Sequence, residues 1–490
     1  MIRPQTTVAL AGIGLLASAT VADTLTVCAS GCQYTSINAA IDAATNGDVI
    51  VLSAETYAEG DVIDTDGKGI TIEGATGKGG AAATIIDGAG THRVLQCITG
   101  EGSDTRFENL VIQNGQANTG GGMYNEGSGP TLVNCSFIGN DSNQDGAAIS
   151  SSNASPTITD CTFTDNGPAR EGGAILHRVG TLTLDGCVFT NNQCEFSGGA
   201  LYLADEDGGS SVTDCTFIGN SSETGGAATL FGPFTVAGCT FRGNTVTSTG
   251  GALRLGQSTS FSDCLFVENS AFEGGAMLAT FGSGITLTSC VFERNTAALN
   301  GGAAYNNLNS PTFQDCRFTG NTAGYGGAVR NVFASPKFRD CSFTENAAEF
   351  FGGAITTMNG RPDISGSNIW CNTPDAIDGS YDDEGDNCIN TDCTSCDAAD
   401  CAGDINGDGT VDGADVGGLL SSWTGNADCE SASCLDADLN GDNRVDGSDI
   451  GILLSEWGSE CGPVFRAPKS RRSATVESAG RSSIVRIQRP

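Results

Sequence analysis

Basic side chains and histidine are scarce in this 490-residue chain. Lysine and arginine together number 23 against 58 aspartates and glutamates, and only two histidines are present. This low content of basic residues excludes a nucleic-acid-binding protein that holds phosphates through a basic patch. The acidic balance is compatible with calcium binding or with a soluble surface protein.

Long apolar runs are also missing. The apolar run at residues 8–16 is too short for a membrane helix, and no later segment reaches the roughly 18 apolar residues required. Arg3 before the run and Thr20-Val21-Ala22 after it are typical of a secretory signal peptide, which we assign to residues 1–22. We therefore expect an extracellular or surface-associated mature chain that begins at Asp23.

Two abundant residue types restrict the fold further. Glycine occurs 70 times without a three-residue period, which excludes collagen. The 21 cysteines are expected to be largely oxidised in an exported protein, and the odd number leaves at least one unpaired or bonded between molecules.

A repeat of 24 to 28 residues dominates the chain. Its first motif is Cys-x-Phe-x-x-Asn, which starts at Cys135, Cys161, Cys187, Cys215, Cys239, Cys264, Cys290, Cys316 and Cys341. Its second motif is Gly-Gly-Ala, which starts at Gly172, Gly198, Gly225, Gly250, Gly274, Gly301, Gly326 and Gly352. A fixed period of this length predicts stacked structural units that bury one continuous core.

The spacing within each repeat predicts β-strands. The Cys and Phe of the first motif are two residues apart, so on a strand they point to the same face. A turn-forming residue such as Asp160 or Asp315 precedes most of the cysteines and predicts a bend. We expect three short strands per coil of a parallel β-helix, with each motif asparagine in a left-handed conformation.

Stacking of the coils would place residues at equivalent positions of successive repeats on top of one another. With coils about 4.8 Å apart, the Cys, Phe and Asn of the motif form internal ladders. The cysteine ladder is open to two interpretations. Adjacent rungs lie within disulfide range, but the cysteines also fit as buried free thiols that act as small apolar residues.

These motifs carry a resemblance to known families. Residues 33–115 resemble the start of right-handed β-helix proteins of the pectin-lyase-like superfamily, in which a short helix leads into the first strand. The Gly-Gly-Ala and Phe-x-x-Asn pair, over residues 120–372, is similar to the repeats of chlamydial polymorphic outer membrane proteins. The resemblance implies a right-handed parallel β-helix, which we assign to residues 23–387.

A cysteine-rich linker follows at residues 388–401. Cys388, Cys393, Cys396 and Cys401 allow either two local disulfides or a zinc site, although their spacing is unusual for zinc.

At the other end of the C-terminal region, residues 462–490 hold seven basic residues and one acidic residue, which predicts a disordered tail.

Two copies of an acidic loop lie between the linker and the tail. Calcium takes six to eight oxygen ligands, and each loop offers oxygens at the spacing of a calcium-binding loop. The predicted ligands of the first loop are Asp404, Asn406, Asp408, Thr410, Asp412 and Asp415. Those of the second loop are Asp438, Asn440, Asp442, Arg444, Asp446 and Asp449, where Thr410 and Arg444 contribute backbone carbonyls.

An amphipathic helix pattern follows each loop. A loop and an exiting helix, repeated twice, resemble a type I dockerin domain, here residues 402–461. The resemblance implies a small α-helical, EF-hand-like domain that takes calcium as its cofactor and binds a cohesin-like partner. The pairs Gly413-Ala414 and Gly447-Ser448 stand where the family usually has hydroxyl residues, and the segment 429–434 is an insertion.

Three function classes remain open from the sequence. One is a polysaccharide lyase or glycoside hydrolase, for which the repeats lack recognisable catalytic motifs; His177 is interpreted as structural. The second is a binder of acidic polysaccharide or of a surface partner, through an outward-facing stripe of Tyr202, Arg254, Tyr305 and Arg330. The third is a structural surface protein. We expect a secreted binder, with the enzyme as the alternative.

Overall fold

The computed structural model describes residues 22–205, 208–390, 405, 410–423, 437, 439–440, 444–455 and 457. The chain divides into two compact units, one up to Thr394 and one from Ser395 onward. None of the described helices is long and apolar enough to cross a membrane.

The first unit is a right-handed parallel β-helix, as the repeats predict. Its strands form three long sheets, in which each coil contributes one strand to each sheet in turn. Sheet A has 15 strands: Thr24–Val27, Val49–Leu52, Thr71–Gly74, Arg106–Glu108, Thr131–Val133, Thr157–Thr159, Thr183–Asp185, Ser211–Thr213, Thr235–Ala237, Ser260–Ser262, Thr286–Thr288, Thr312–Gln314, Lys337–Arg339, Asp363–Ser365 and Asp382–Asp383.

Sheets B and C complete the coils. Sheet B has 14 strands: Thr56–Tyr57, Thr84–Asp87, Leu110–Gln113, Ser136–Ile138, Thr162–Thr164, Val188–Thr190, Thr216–Ile218, Thr240–Arg242, Leu265–Val267, Val291–Glu293, Arg317–Thr319, Ser342–Thr344, Asn368–Trp370 and Cys388–Ile389. Sheet C has 13 strands: Ile63–Asp64, Leu95–Cys97, Met123–Glu126, Ile149–Ser152, Ile175–Arg178, Leu201–Ala204, Ala228–Phe231, Leu253–Leu255, Met277–Thr280, Ala304–Asn307, Val329–Val332, Ile355–Met358 and Ile377–Asp378.

A fourth strand per coil was not predicted, so the expectation of three strands is wrong for the middle coils. The additional strands lie between the motif asparagine and Gly-Gly, and we call them the short sheet. Its members are Ser221–Thr224, Thr245–Thr249, Ser270–Glu273, Thr296–Asn300, Thr322–Tyr325 and Ala347–Phe351, with a separate pair, Gln116–Thr119 and Asp141–Asp145. These segments are long enough to pair with their equivalents in the next coil, which satisfies their backbone donors and acceptors.

The predicted phenylalanine and asparagine ladders fill the interior. Successive rings from Phe137 to Phe343 stack with centroids 4.5 to 5.1 Å apart. In the asparagine ladder, Asn269 donates from its backbone N and its Nδ2 to Oδ1 of Asn295, both at 3.0 Å. Its Nδ2 also donates to the carbonyl oxygen of Phe241 at 2.9 Å. The ladder therefore satisfies polar groups that are fully buried.

The left-handed residues are not the ladder asparagines, so that expectation is wrong. The residue before each asparagine has the positive φ instead, for example Asn191 at 53° and Arg294 at 51°. The ladder asparagine can then turn its side chain inward to meet the next rung. The bend before the cysteines is confirmed, with φ values of 52° at Asp160 and 54° at Asp315.

The cysteines of the ladder are buried free thiols, which decides between the two interpretations. Burial raises the pKa of the Cys161 thiol well above its usual range, so the thiol stays protonated. A disulfide joins Cys28 to Cys32, and Cys371 and Cys388 are also disulfide-bonded. The other linker cysteines lie outside the described residues.

Gly-Gly allows the coils to approach each other closely. Gly250 has a φ of 70°, which suits glycine. A Cβ atom on Gly251 would overlap the carbonyl oxygen of Gly275 in the next coil. The motif therefore marks a turn where backbone packs directly on backbone.

One end of the solenoid carries a short helix, α1, at Ile37–Ala43. Ser36 caps it by accepting a hydrogen bond from the backbone of Ala39, and the helix buries Ile37, Ala40 and Ile41. A single 3₁₀ turn follows later, at Lys78–Gly80. The helix covers the apolar interior at the first coils, as solenoid ends require.

The described part of the second unit contains two helices, α2 at Gly413–Ser421 and α3 at Gly447–Ser455. Its small core comprises Val411, Leu419, Ala437, Val445 and Leu453. Each helix contributes one buried leucine to this core, which explains the paired amphipathic patterns in the sequence.

Candidate functional site

The described residues of the first acidic loop belong to the N-terminus of α2. Asp412 caps this helix and accepts a hydrogen bond from the backbone N of Ala414 at 2.7 Å. Asp415 is fully buried and accepts from the backbone N of Asp412 at 2.9 Å. Thr410 is exposed beside them. Asp404, Asn406 and Asp408 lie outside the described residues.

The second loop repeats this arrangement before α3. Asp446 accepts from the backbone N of Ser448 at 2.8 Å, and Asp449 accepts from the backbone N of Asp446 at 2.8 Å. The other oxygen of Asp449 accepts from Leu439 and from Asn440. Arg444 is exposed. Asp438 and Asp442 lie outside the described residues.

These carboxylates fit a calcium site. Asp449 is fully buried, and within the described ranges it forms no ion pair with a lysine or arginine. A positive partner would stabilise a buried carboxylate further, and hard oxygen donors are what calcium prefers. Hydrogen bonds from Ser448 lower the pKa of Asp446, so this carboxyl is ionised at neutral pH.

A duplicated apolar pair remains exposed on the same unit. Leu420 and Trp423 are 54% and 45% exposed, and their equivalents Leu454 and Trp457 are 55% and 51% exposed. The buried leucines of the two helices are instead Leu419 and Leu453. The two exposed pairs provide matching surfaces that a partner protein can cover.

Most of sheet C lacks acidic side chains, which occur only in its strands nearer the two ends. Nine successive strands of sheet C, from Ile149–Ser152 to Ile355–Met358, contain no aspartate or glutamate, and their charged residues are Arg178, Arg254 and Arg330. This composition stands out in a chain with 58 acidic residues. Sheet C therefore offers a locally cationic strip on an acidic protein.

The four residues of the predicted stripe all lie on the same outward row of sheet C. Tyr202 and Arg254 are two strands apart in the sheet. On the following strands the same position is occupied by Leu278, then Tyr305, then Arg330. Both arginines and Tyr202 are partly exposed. Tyr305 is only 7% exposed, which differs from the expected solvent-facing position. This row lies beside the short sheet, which the sequence did not reveal.

The two unpaired arginines lie over aromatic rings. The guanidinium carbon of Arg254 is 5.4 Å from the ring centre of Phe231, and that of Arg330 is 5.1 Å from the ring centre of Tyr325. Among the described residues, neither forms an ion pair. Arg178, in contrast, is paired with Glu171 and with Asp145. The arginines of the row are thus available for an external anion.

Several aromatic neighbours of this row were missed in the sequence. The ring centre of Tyr325 lies 4.9 Å from that of Phe350 and 6.3 Å from that of Phe351, and these two phenylalanines are 44% and 52% exposed. Tyr325 and Phe351 are the residues immediately before Gly-Gly. Comparing that one position across the repeats would have shown the change from polar to aromatic residues.

Two observations limit the acid–base chemistry available on and near this row. Burial raises the pKa of Tyr305, which makes its hydroxyl a poor base at neutral pH. His177 is fully buried, and its Nε2 lies 3.0 Å from the carbonyl oxygen of Gly180. Its buried position agrees with the structural interpretation of His177. The described residues of the row thus offer recognition groups more readily than a general base.

Comparisons with known proteins agree with this architecture. Residues 31–232 and 197–332 match the family model described as the right handed beta helix region, and residues 402–455 match the dockerin type I domain. No curated protein matches the chain. Type I dockerin domains in general bind calcium, and dockerins bind cohesins.

The search of solved structures found similar chains at low identity. A PL6 alginate lyase in complex with a trisaccharide is 12% identical, with a TM-score of 0.41, over 71% of this chain and 85% of that chain. PfbA, a surface adhesin of Streptococcus pneumoniae, is 11% identical, with a TM-score of 0.32, over 72% and 88%. The chain therefore belongs to the right-handed β-helix family and carries a dockerin type I domain at residues 402–455.

Proposed function

We propose that this is an extracellular protein that binds acidic polysaccharide on sheet C and is anchored to a cohesin-like partner through its calcium-loaded dockerin domain. The observation that carries the proposal is the charge of sheet C. Nine strands hold no carboxylate, and two of their three arginines have no ion-pair partner among the described residues. Guanidinium groups recognise carboxylates through paired hydrogen bonds.

The net charge of −35 opposes this proposal at long range. A polyanion is repelled by the protein as a whole, but the Debye length at physiological salt is only about 8 Å. At that distance the local arginines and rings dominate the contact. We therefore expect binding to be absent at very low salt, maximal at moderate salt and lost again at high salt.

The anchoring role rests on the dockerin domain. Calcium would be held by the predicted oxygens of the two loops, of which the structure describes those of Thr410, Asp412, Asp415, Asn440, Arg444, Asp446 and Asp449. Calcium would supply a positive charge beside the buried carboxyl groups of Asp415 and Asp449. The exposed pairs Leu420–Trp423 and Leu454–Trp457 would then contact the partner.

The test is binding of the full chain to a panel of polysaccharides by affinity electrophoresis. The panel contains polygalacturonate and alginate as polyanions and a neutral glucan of similar length. We expect retardation by at least one polyanion and not by the neutral glucan, and Arg330→Ala should reduce it. Arg242→Ala, which removes a paired arginine on sheet B, is the matched control. Equal behaviour of both variants would overturn the proposed site.

The enzyme alternative is measured on the same samples. A lyase would generate unsaturated products, which are followed by their ultraviolet absorbance with and without calcium. A calcium-dependent rise would make the protein a polysaccharide lyase. Binding without any rise, and without new reducing ends, would support the binder.

A further inference from the structure

The two available arginines occupy one row that runs along the solenoid axis. Arg254 aligns with Leu278 in the next coil, Leu278 with Tyr305, and Tyr305 with Arg330. With a rise of about 4.8 Å per coil, the Cα atoms of the two arginines are about 14 Å apart. Both lie on the same face because their inward neighbours, Leu253 and Val329, are fully buried.

The floor between the arginines is low, and the charge of Glu273 acts on its Tyr305 from the adjoining short sheet. Leu278 and Tyr305 are each 7% exposed, so their side chains do not stand above the sheet. Each arginine is flanked by an aromatic ring, Phe231 for Arg254 and Tyr325 for Arg330. The result is a flat strip with one cation at either end, to which the apolar face of a sugar ring can be applied.

Arg330 has a donor that is not used. Its Nε is buried and has no hydrogen-bond partner among the described residues, and its Nη2 lies 3.9 Å from the sulfur of Met358. Arg330 and Asp378 are two strands apart on the same row and form no ion pair. The charge of Asp378 acts on Arg330 from two strands away, and the exposed part of the guanidinium remains open to an external anion.

The neighbouring row on sheet C has no cation in these coils. Next to the arginine row lie Thr280, Asn307, Val332 and Met358, and beyond them the exposed turn residues Phe281, Leu308 and Phe333. A ligand chain lying across the coils would therefore meet one arginine at most. Only a chain parallel to the axis can contact Arg254 and Arg330 together.

We propose that the ligand is a polyuronate chain that lies parallel to the solenoid axis and places two of its carboxylates, about 14 Å apart, on Arg254 and Arg330. This inference rests on the proposed function and adds the direction and the minimum length of the ligand. An oligosaccharide too short to span the two arginines engages only one of them. Spanning makes the second contact intramolecular, with a correspondingly higher effective concentration.

The test is isothermal titration calorimetry, which measures the affinity of the full chain for oligogalacturonates and oligomannuronates of increasing defined length. We expect a step in affinity of about tenfold or more at the length that spans both arginines. Arg254→Ala and Arg330→Ala should each remove the step, and the double variant should also lose the weaker binding that one arginine supports. Arg294→Ala, which lies outside sheet C, should retain it.

The outcomes separate this inference from the function on which it rests. Binding of long polyuronate without a length step, or a step that survives Arg254→Ala, overturns the axial two-site arrangement and leaves the polysaccharide binder intact. If neither the oligosaccharides of any length nor the long polymers bind, both proposals are overturned. Circular dichroism of each variant verifies that the substitutions leave the solenoid folded.

Discussion

Single buried acids show how the solenoid uses polar side chains at its N-terminal coils. Glu101 is 2% exposed and accepts hydrogen bonds from Thr65, Gly67, Thr99 and Ser128. Burial alone would raise its pKa, but the hydrogen bonds from Thr99 and the others lower the pKa to about 2. The carboxylate therefore ties three coils together in its charged form.

Replacing Glu101 tests this role. Because the folded-state pKa is lowered, its stabilisation is present above pH 4.5 and is lost as the pH falls toward 2. Glu101→Gln should lower the free energy of unfolding by about 2 kcal/mol at pH 7, after allowing for solvent screening, and by much less near pH 2. Denaturant unfolding at several pH values measures it, with the exposed Glu223→Gln as control. A pH-independent difference would contradict the account.

At the scale of the element, the asparagine ladder is the unit that registers one coil on the next. Asn269→Ala removes the two donations from Nδ2, to the carbonyl of Phe241 and to Oδ1 of Asn295, and it removes the Oδ1 acceptor that Asn244 uses; the backbone donation to Asn295 remains. We expect a loss of about 2–4 kcal/mol in unfolding free energy. Asn143→Ala, on an exposed strand, should change it by less than about 0.5 kcal/mol. Equal effects in thermal or denaturant unfolding would show that the ladder is not a main source of stability.

The sequence predicted those parts of the fold that fixed residue types enforce. The Cys, Phe and Asn positions recur in every copy, so the interior ladders could be read from spacing alone. The short sheet has no fixed residue at any position, and its strands form only because neighbouring coils bring equivalent backbone together. The left-handed residue was placed one position too late because the asparagine side chain serves the ladder and not a turn.

The candidate site was predictable only in part for the same reason. The positions of Arg254 and Arg330 follow from the Gly-Gly-Ala register. The absence of acids from nine strands of sheet C could also have been found by comparing the segments after that motif. The burial of Tyr305 and the contact of Arg330 with the ring of Tyr325 depend on the short sheet, and they required the structure.

For the whole molecule, the proposed function combines a binding surface on the solenoid with a calcium-dependent anchor. The second unit has a small core, so calcium should contribute much of its stability. At a calcium concentration 100 times the dissociation constant, the gain is about 2.7 kcal/mol. Calorimetry of the full chain should show two unfolding transitions. A calcium chelator should lower the midpoint temperature of one of them and leave that of the other, from the solenoid, unchanged.

Asp449→Asn should weaken the calcium response, since it removes the charge of a buried ligand. Asp363→Asn, an exposed acid of the solenoid, is the control and should leave the response unchanged. A chelator that shifts neither transition, or an Asp449→Asn variant with the wild-type response, would contradict the predicted calcium site.

Hydroxyl-radical footprinting of the full chain with a bound polyuronate tests the central claim most directly, because it reports which side chains the ligand covers. The account predicts protection of Tyr202, Tyr325, Phe350 and Phe351 beside sheet C. Side chains on the outer faces of sheets A and B, such as Ile218, should stay equally reactive with and without the ligand. Protection confined to sheets A and B, or an unchanged pattern when the polymer is bound, would contradict the assignment of sheet C as the binding surface.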